Sequence, residues 1–247
     1  MHRKNILGLF LLLSSFSCAM AQRNVGTFSV TPKVGVCFSS LTGSPGIDLL
    51  STVSHGVEDS YLTSNGSELK VMTDFTAGVE VSYQLTSILD VSLGASYSRM
   101  GCGISGLSES EWTIGGYSFT LDNAKYRMDY LNVPVMAGVY VWKGLAVRAG
   151  LQAGFCLNQS RDYEINTNAP SSSCSVTKNG YWYKERVFND FNLSIPVGVS
   201  YEYKNVVAEV RHDFGLTNYI TDEWNVSDKK KGRIHSTSVT IGYRFFR

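Results

Sequence analysis

Eight charged side chains sit at alternate positions inside otherwise apolar segments: Lys33, Glu80, Asp90, Arg148, Glu202, Glu209, Arg211 and Arg244. In an extended chain each shares a face with Gly, Ser and Thr while the large apolar residues take the other face. Most lie within a few residues of a short turn or a terminus, so they would gather at one end of whatever they line. Four bases and four acids held together on one side of a wall make a salt-bridged plug, because an unpaired charge there is very costly. A narrow ion path or proton relay is the functional alternative.

Other residue sets invite more specific chemistry. His55, His212 and His235, with nearby Ser and acidic residues, are the raw material of a hydrolase triad, but no spacing fixes a nucleophile–base pair, so no catalytic residue is assigned. Gly101-Cys102-Gly103-Ile104-Ser105-Gly106 spells G-x-G-x-x-G, yet no amphipathic helix follows it, so no cofactor-binding site is assigned. Outside the first twenty residues the cysteines are Cys37, Cys102, Cys156 and Cys174; none has metal-ligand spacing, so no metal site is expected. In an oxidising compartment Cys102 and Cys174, both expected in loops, are the pair to test first, against unpaired thiols as the alternative. Lys229-Lys230-Lys231 is a solvated loop or a contact for anionic lipopolysaccharide.

The elements that must carry these groups show themselves between Tyr130 and Asn158. After the turn Trp142-Lys143-Gly144, every odd position from Leu145 to Leu157 is apolar, with Ala146, Arg148, Gly150, Gln152, Gly154, Cys156 and Asn158 between them. Before the turn, Leu131, Val133, Val135, Ala137, Val139 and Val141 form a matching apolar face. The same alternation recurs in strands near 27–38, 75–83, 89–97, 191–203, 206–215 and 239–246. Pro32 in the first cannot donate to a ladder and needs a bulge or a locally unpaired position. Eight strands result, with short turns alternating with long segments near 39–71, 99–125, 159–189 and 216–235. Gly115-Gly116 marks a hairpin in the second of these, and Asn179-Gly180 a turn in the third.

None of the outward positions carries Lys, Arg, Asp or Glu, and His212 is the one titratable group there. A soluble sandwich would place charges on its exposed faces, whereas Arg or Lys at the middle of a lipid-facing wall costs about 2–4 kcal/mol. Aromatics fall in two bands: Phe28, Tyr83, Trp142, Tyr203 and Phe245 near the short turns, and Phe38, Phe75, Tyr97, Phe155 and Phe214 near the other end. Such bands mark two membrane interfaces. The expected fold is therefore all-β, an eight-stranded antiparallel transmembrane β-barrel with short periplasmic turns and four long extracellular loops.

The N-terminus reads as a signal peptide over 1–21, with His2, Arg3 and Lys4, then Ile6 to Leu13, then Ala19-Met20-Ala21; the barrel domain is 22–247. Cys18 opens a lipoprotein alternative, for which Ser15-Phe16-Ser17 is a poor lipobox. Of 22 basic groups, removal of Arg3 and Lys4 leaves 20 against 21 acidic ones, which gives no electrostatic case for nucleic acid.

Three stretches carry a resemblance. Tyr130-Leu131-Asn132-Val133-Pro134-Val135, the run from Ala208 to Asn218, and Ile241-Gly242-Tyr243-Arg244-Phe245 resemble strands of the PorT-type outer-membrane barrels of the Bacteroidota. Asn132 stands for that family's usual acid and His212 for its usual Tyr. The resemblance implies a bacterial outer-membrane protein inserted by the outer-membrane assembly machinery. The expected function is a non-enzymatic barrel with an occluded lumen, presenting loops for binding or surface interaction. Trp112, Tyr117, Phe119, Tyr181, Trp182 and Tyr183 are its candidate loop contacts. A component of protein secretion or envelope assembly is one alternative, and a lipid A-modifying barrel enzyme the second. The expected partners are outer-membrane lipid or lipopolysaccharide and a secretion-system or surface protein.

Overall fold

Alternating β-branched and small residues make long strands, and Gly, Asn and Lys between them make tight turns. A computed structural model describes residues 24–42, 68–105, 112–114, 117–169, 172–178, 189–219 and 232–246. Its strands are β1 (Phe28–Thr42), β2 (Glu68–Gln84), β3 (Leu89–Ser105), β4 (Trp112–Ile114), β5 (Tyr117–Trp142), β6 (Leu145–Ala169), β7 (Ser172–Lys178), β8 (Phe191–Tyr203), β9 (Val206–Gly215), β10 (Arg233–Tyr243) and β11 (Phe245–Phe246). The ring runs β1, β2, β3, β5, β6, β8, β9, β10 and back to β1, every neighbour antiparallel. The result is a closed eight-stranded barrel, with β11 continuing the β10 side of the seam against β1.

Burial is inverted relative to a water-soluble protein. Val135 is 57% exposed and Leu151 56%, while Arg148 is 1% and Glu80 4% exposed. Every large side chain that alternation placed outward on β8 is exposed or half-buried, and the residues between them are buried along most of the strand. The aromatic bands pair within themselves. Phe28 and Tyr83 stand 4.6 Å apart at the short-turn end, and Phe75 and Tyr97 5.4 Å apart at the other.

The turn between β5 and β6 needs its glycine twice. Gly144 has φ +98°, a left-handed conformation, and a Cβ there would run into the Glu202 carbonyl. Pro32 faces a real gap: the ladder from β1 to β10 and β11 breaks between Val30↔Phe245 and Lys33↔Gly242. There the Arg244 N–H turns away to donate to the Asn205 carbonyl at 2.7 Å.

The structure departs from the sequence expectation in three places. First, the described residues of the segments near 99–125 and 159–189 are mostly strand: β3 and β5 stay paired from Arg99↔Asp129 to Ile104↔Ala124, and β6 continues to Ala169 with β7 beside it. Beyond the apolar belt neither face needs to be greasy, so the two-residue period vanishes while backbone pairing persists. Within this extension the flanks of the expected Gly-Gly hairpin pair as Trp112↔Phe119 and Ile114↔Tyr117. Second, Asn158 faces outward. Asp129 pairs with Asn158 but Tyr130 with Cys156, so Leu157 is the extra residue of a bulge that flips the alternation beyond it. Third, Cys102 is a free, fully buried thiol on β3 rather than a loop residue bonded to Cys174, which lies on β7. Cys37 is free as well.

Candidate functional site

Strand register decides which inward side chains meet. Lys33 lies between Gly78 and Gly242 on its two neighbours, and Arg148 between Gly138 and Gly198. Each long base therefore has small neighbours on both sides, and its head group extends across the lumen. At Gly138 the room is essential: a Cβ would overlap Asp90 Oδ1 and lie 3.4 Å from Arg148 Cγ.

Across that space a ring of alternating charge closes. Lys33 Nζ donates to Glu80 Oε2 at 2.9 Å and to Glu209 Oε2 at 2.8 Å. Arg148 Nη1 donates to Glu80 Oε1 at 2.8 Å and to Glu209 Oε2 at 3.0 Å. Arg148 Nη2 donates to Ser92 Oγ at 2.6 Å and stands 3.7 Å from Asp90 Oδ2. Both carboxylates are thus shared by both cations, the arrangement that compensates the loss of hydration for buried charge. Nearer the short-turn mouth, Arg244 Nη1 donates to Glu202 Oε2 at 2.6 Å and to the Tyr140 hydroxyl at 2.9 Å. On the other side of the ring, Arg211 Nε lies 3.0 Å from Asp213 Oδ1.

All eight charged residues expected inside are inside, in three linked groups. Asp213, Tyr140 and Ser92 are partners that the charge pattern alone did not single out. Their positions on the inward parity of β9, β5 and β3 were the available signal. A cavity of about 40 Å³ lies beside Lys33, Glu80, Glu209 and Arg211. A polar vestibule of about 450 Å³ opens at the short-turn mouth, lined by Ser29, Gln84, Lys143, Glu202, Arg244 and Phe246 among others. The ion ring stands beyond this vestibule.

The other candidates divide. Trp112, Tyr117 and Phe119 lie on β4 and β5 beyond the belt, while Tyr181, Trp182, Tyr183, His55 and Lys229 to Lys231 fall outside the described residues. The G-x-G-x-x-G run lies on β3 as far as Ser105, in strand pairing with β2. Two of the three histidines do come together: the His212 and His235 rings are 6.0 Å apart and nearly parallel, at 19°, on the outer face. His212 Nδ1 is 2.8 Å from Thr237 Oγ1.

Residues 20–242 match the outer membrane protein beta-barrel domain, nearly the whole chain. The chain belongs to that family. Membership places this outer-membrane barrel in the bacterial outer membrane and accounts for its inverted burial. No curated protein matches the barrel in sequence. Among solved structures it is similar to Ail, the attachment invasion locus protein of Yersinia pestis, with 13% identity over 90% of this chain and 100% of that one and a TM-score of 0.42. It is also similar to OprG of Pseudomonas aeruginosa, at 12% identity, 90% and 97% coverage and TM-score 0.39. Neisserial surface protein A follows at 10% identity, 88% and 95% coverage and TM-score 0.37.

Proposed function

We propose that the protein is a non-enzymatic outer-membrane barrel with a sealed lumen, which anchors and presents its long-loop end for contact with a surface partner. In this reading residues 1–21 are removed near Ala21, the short turns face the periplasm, and the extensions of β3 to β7 project outside the cell. The observation that carries it is the ion ring: Arg148, 1% exposed, is held between Glu80 and Glu209 across the lumen. A barrel of this strand number is just wide enough for side chains to fill, and here they do so with charges that no ion displaces without stranding a partner. The β4–β5–β6–β7 sheet supplies the contact surface, its strands paired from Trp112↔Phe119 through Ser118↔Asn168 to Ala169↔Ser172.

Planar-bilayer recording tests the seal, with no sustained single-channel steps expected from the purified barrel; stable large currents refute it. Pull-down from intact cells tests the contact surface. Deleting 106–119 and 170–188 should abolish capture of an extracellular partner while leaving the heat-resistant barrel intact. Capture of a periplasmic or envelope protein, unaffected by those deletions, would instead favour the secretion or envelope-assembly role that the PorT resemblance implies. A lipid A-modifying enzyme needs an acid to orient its histidine. Asp213, next to His212 in sequence, turns inward instead and accepts a hydrogen bond from Ser236 at 3.1 Å. Lipid A mass spectra from cells with and without the protein should coincide.

A further inference from the structure

The outer wall of β8, β9, β10 and β1 is apolar until it reaches the long-loop aromatic band, and there it becomes basic. His212 and His235 stack at 6.0 Å, and Phe214 sets its ring edge-on to both, 4.4 Å from His212 and 6.3 Å from His235. Arg233, two residues beyond His235 on the same face of β10, is exposed. Register puts His235 level with Phe214 and Ser40, and His212 level with Thr237 and Val197.

No outward residue described on these four strands is acidic. Arg211 and Asp213 of β9 are the charged neighbours that face the lumen, and Asp190 stands past the end of β8, level with no residue of the patch. Elsewhere the outer wall treats a cation differently: Arg99 Nε donates to Asp129 Oδ1 at 2.8 Å, so that base has its counter-charge within the protein. Among the described residues the histidine patch has none on its face, and its level is that of the interface, where lipid headgroups carry anions.

We propose that His212, His235 and Arg233 form a lateral, pH-gated site for the phosphate of an outer-leaflet lipid headgroup. The proposal rests on the long-loop end lying outside, but not on a sealed lumen or on a protein partner. Arg233 supplies a permanent cation from the aqueous side. Imidazole is the side chain whose charge changes close to neutral pH, so a histidine pair is the chemistry that makes anion binding respond to pH. Two protonated rings this close repel each other, and a phosphate lodged between them and Arg233 relieves that repulsion. Phosphate binding and protonation therefore favour one another. Phe214 lies level with His235 and nearer the long-loop end than His212, which stands deeper, level with Thr237; an aromatic ring is at home at that interface.

The experiment uses the full chain in phosphatidylcholine nanodiscs, with bisphosphorylated lipid A, dephosphorylated lipid A of the same acylation and inorganic phosphate as probes. Native mass spectrometry or lipid-displacement fluorescence reads retention at pH 5.5 and pH 8. Bisphosphorylated lipid A should bind on the order of tenfold more tightly at the lower pH, the change expected when phosphate binding raises a linked imidazole pKa by about one. H212Q/H235Q should remove the pH dependence and R233Q should weaken binding at both pH values. Equal binding of the dephosphorylated lipid, or pH-independent binding by the unaltered protein, overturns the proposal without any variant having to fold. So does full competition by inorganic phosphate, which assigns the site to a soluble anion, or accumulation of deacylated lipid, which makes His212 and Thr237 a hydrolytic pair.

Discussion

Arg148 is the residue on which the interior turns. It touches Glu80, Glu209, Asp90 and Ser92, four partners drawn from three strands. Replacing it by Met leaves the two shared carboxylates with Lys33 alone. The expected loss is about 3–5 kcal/mol of unfolding free energy, measured by denaturant titration of the folded barrel in micelles. Glu80→Gln should cost less in the Arg148→Met background than in the native one, because the charge it removes has already lost a partner. Additive losses would show that the ring is not a unit. At this scale the sequence was informative about which residues turn inward and silent about who holds whom. Alternation alone placed all eight charges inside. The pairing of Lys33 with Glu209 depends on strands distant in sequence coming level, and no local pattern records that. Asp213 shares the inward parity of Arg211 on β9, but alternation alone does not say that the two pair.

At the scale of the strand, the apolar belt was legible because hydrocarbon imposes a two-residue period, and it stopped being legible where the hydrocarbon stops. β8 matches its expected bounds, whereas β3, β5 and β6 run well past theirs. Leu157 shows the same limit: its bulge breaks the period by one residue, and a pattern read from one strand carries no sign of what its neighbour opposes. Cys102 was assigned to a loop for the same reason, and of the two readings weighed for it, a pair with Cys174 or an unpaired thiol, the structure has the unpaired thiol. The belt itself makes a sharp prediction. Val135, within the apolar belt on β5 and 57% exposed, should tolerate Lys at a cost of about 2–4 kcal/mol in a bilayer. The same change on a surface bathed by water would be close to neutral, so a negligible shift in vesicle-reconstituted protein would contradict a lipid-facing wall. Gly144→Val should also destabilise, by about 1–3 kcal/mol, since it forces a branched residue into a left-handed turn. Urea titration of the variant checks it.

For the whole molecule, the meander order means that each strand except those at the seam is bonded to a neighbour close to it in sequence within the ring. The β5–β6 pair is joined by a two-residue turn and zipped from Trp142↔Leu145 out to Ser118↔Asn168. The seam, by contrast, brings Lys33 against Gly242, from opposite extremes of the chain. Loop-closure entropy favours the near contact and delays the far one, so assembly should have a temporal order written into its connectivity. Pulse-labelling by hydrogen exchange during refolding into vesicles should find β5 and β6 amides protected early and β1 and β10 amides last. Gly144→Val should then slow the first phase, while Gly35→Val, whose side chain would press on the Val239 carbonyl across the seam, should slow only the last. Simultaneous protection of all strands would mean that the cylinder closes in one concerted step, with no memory of which hairpin came first.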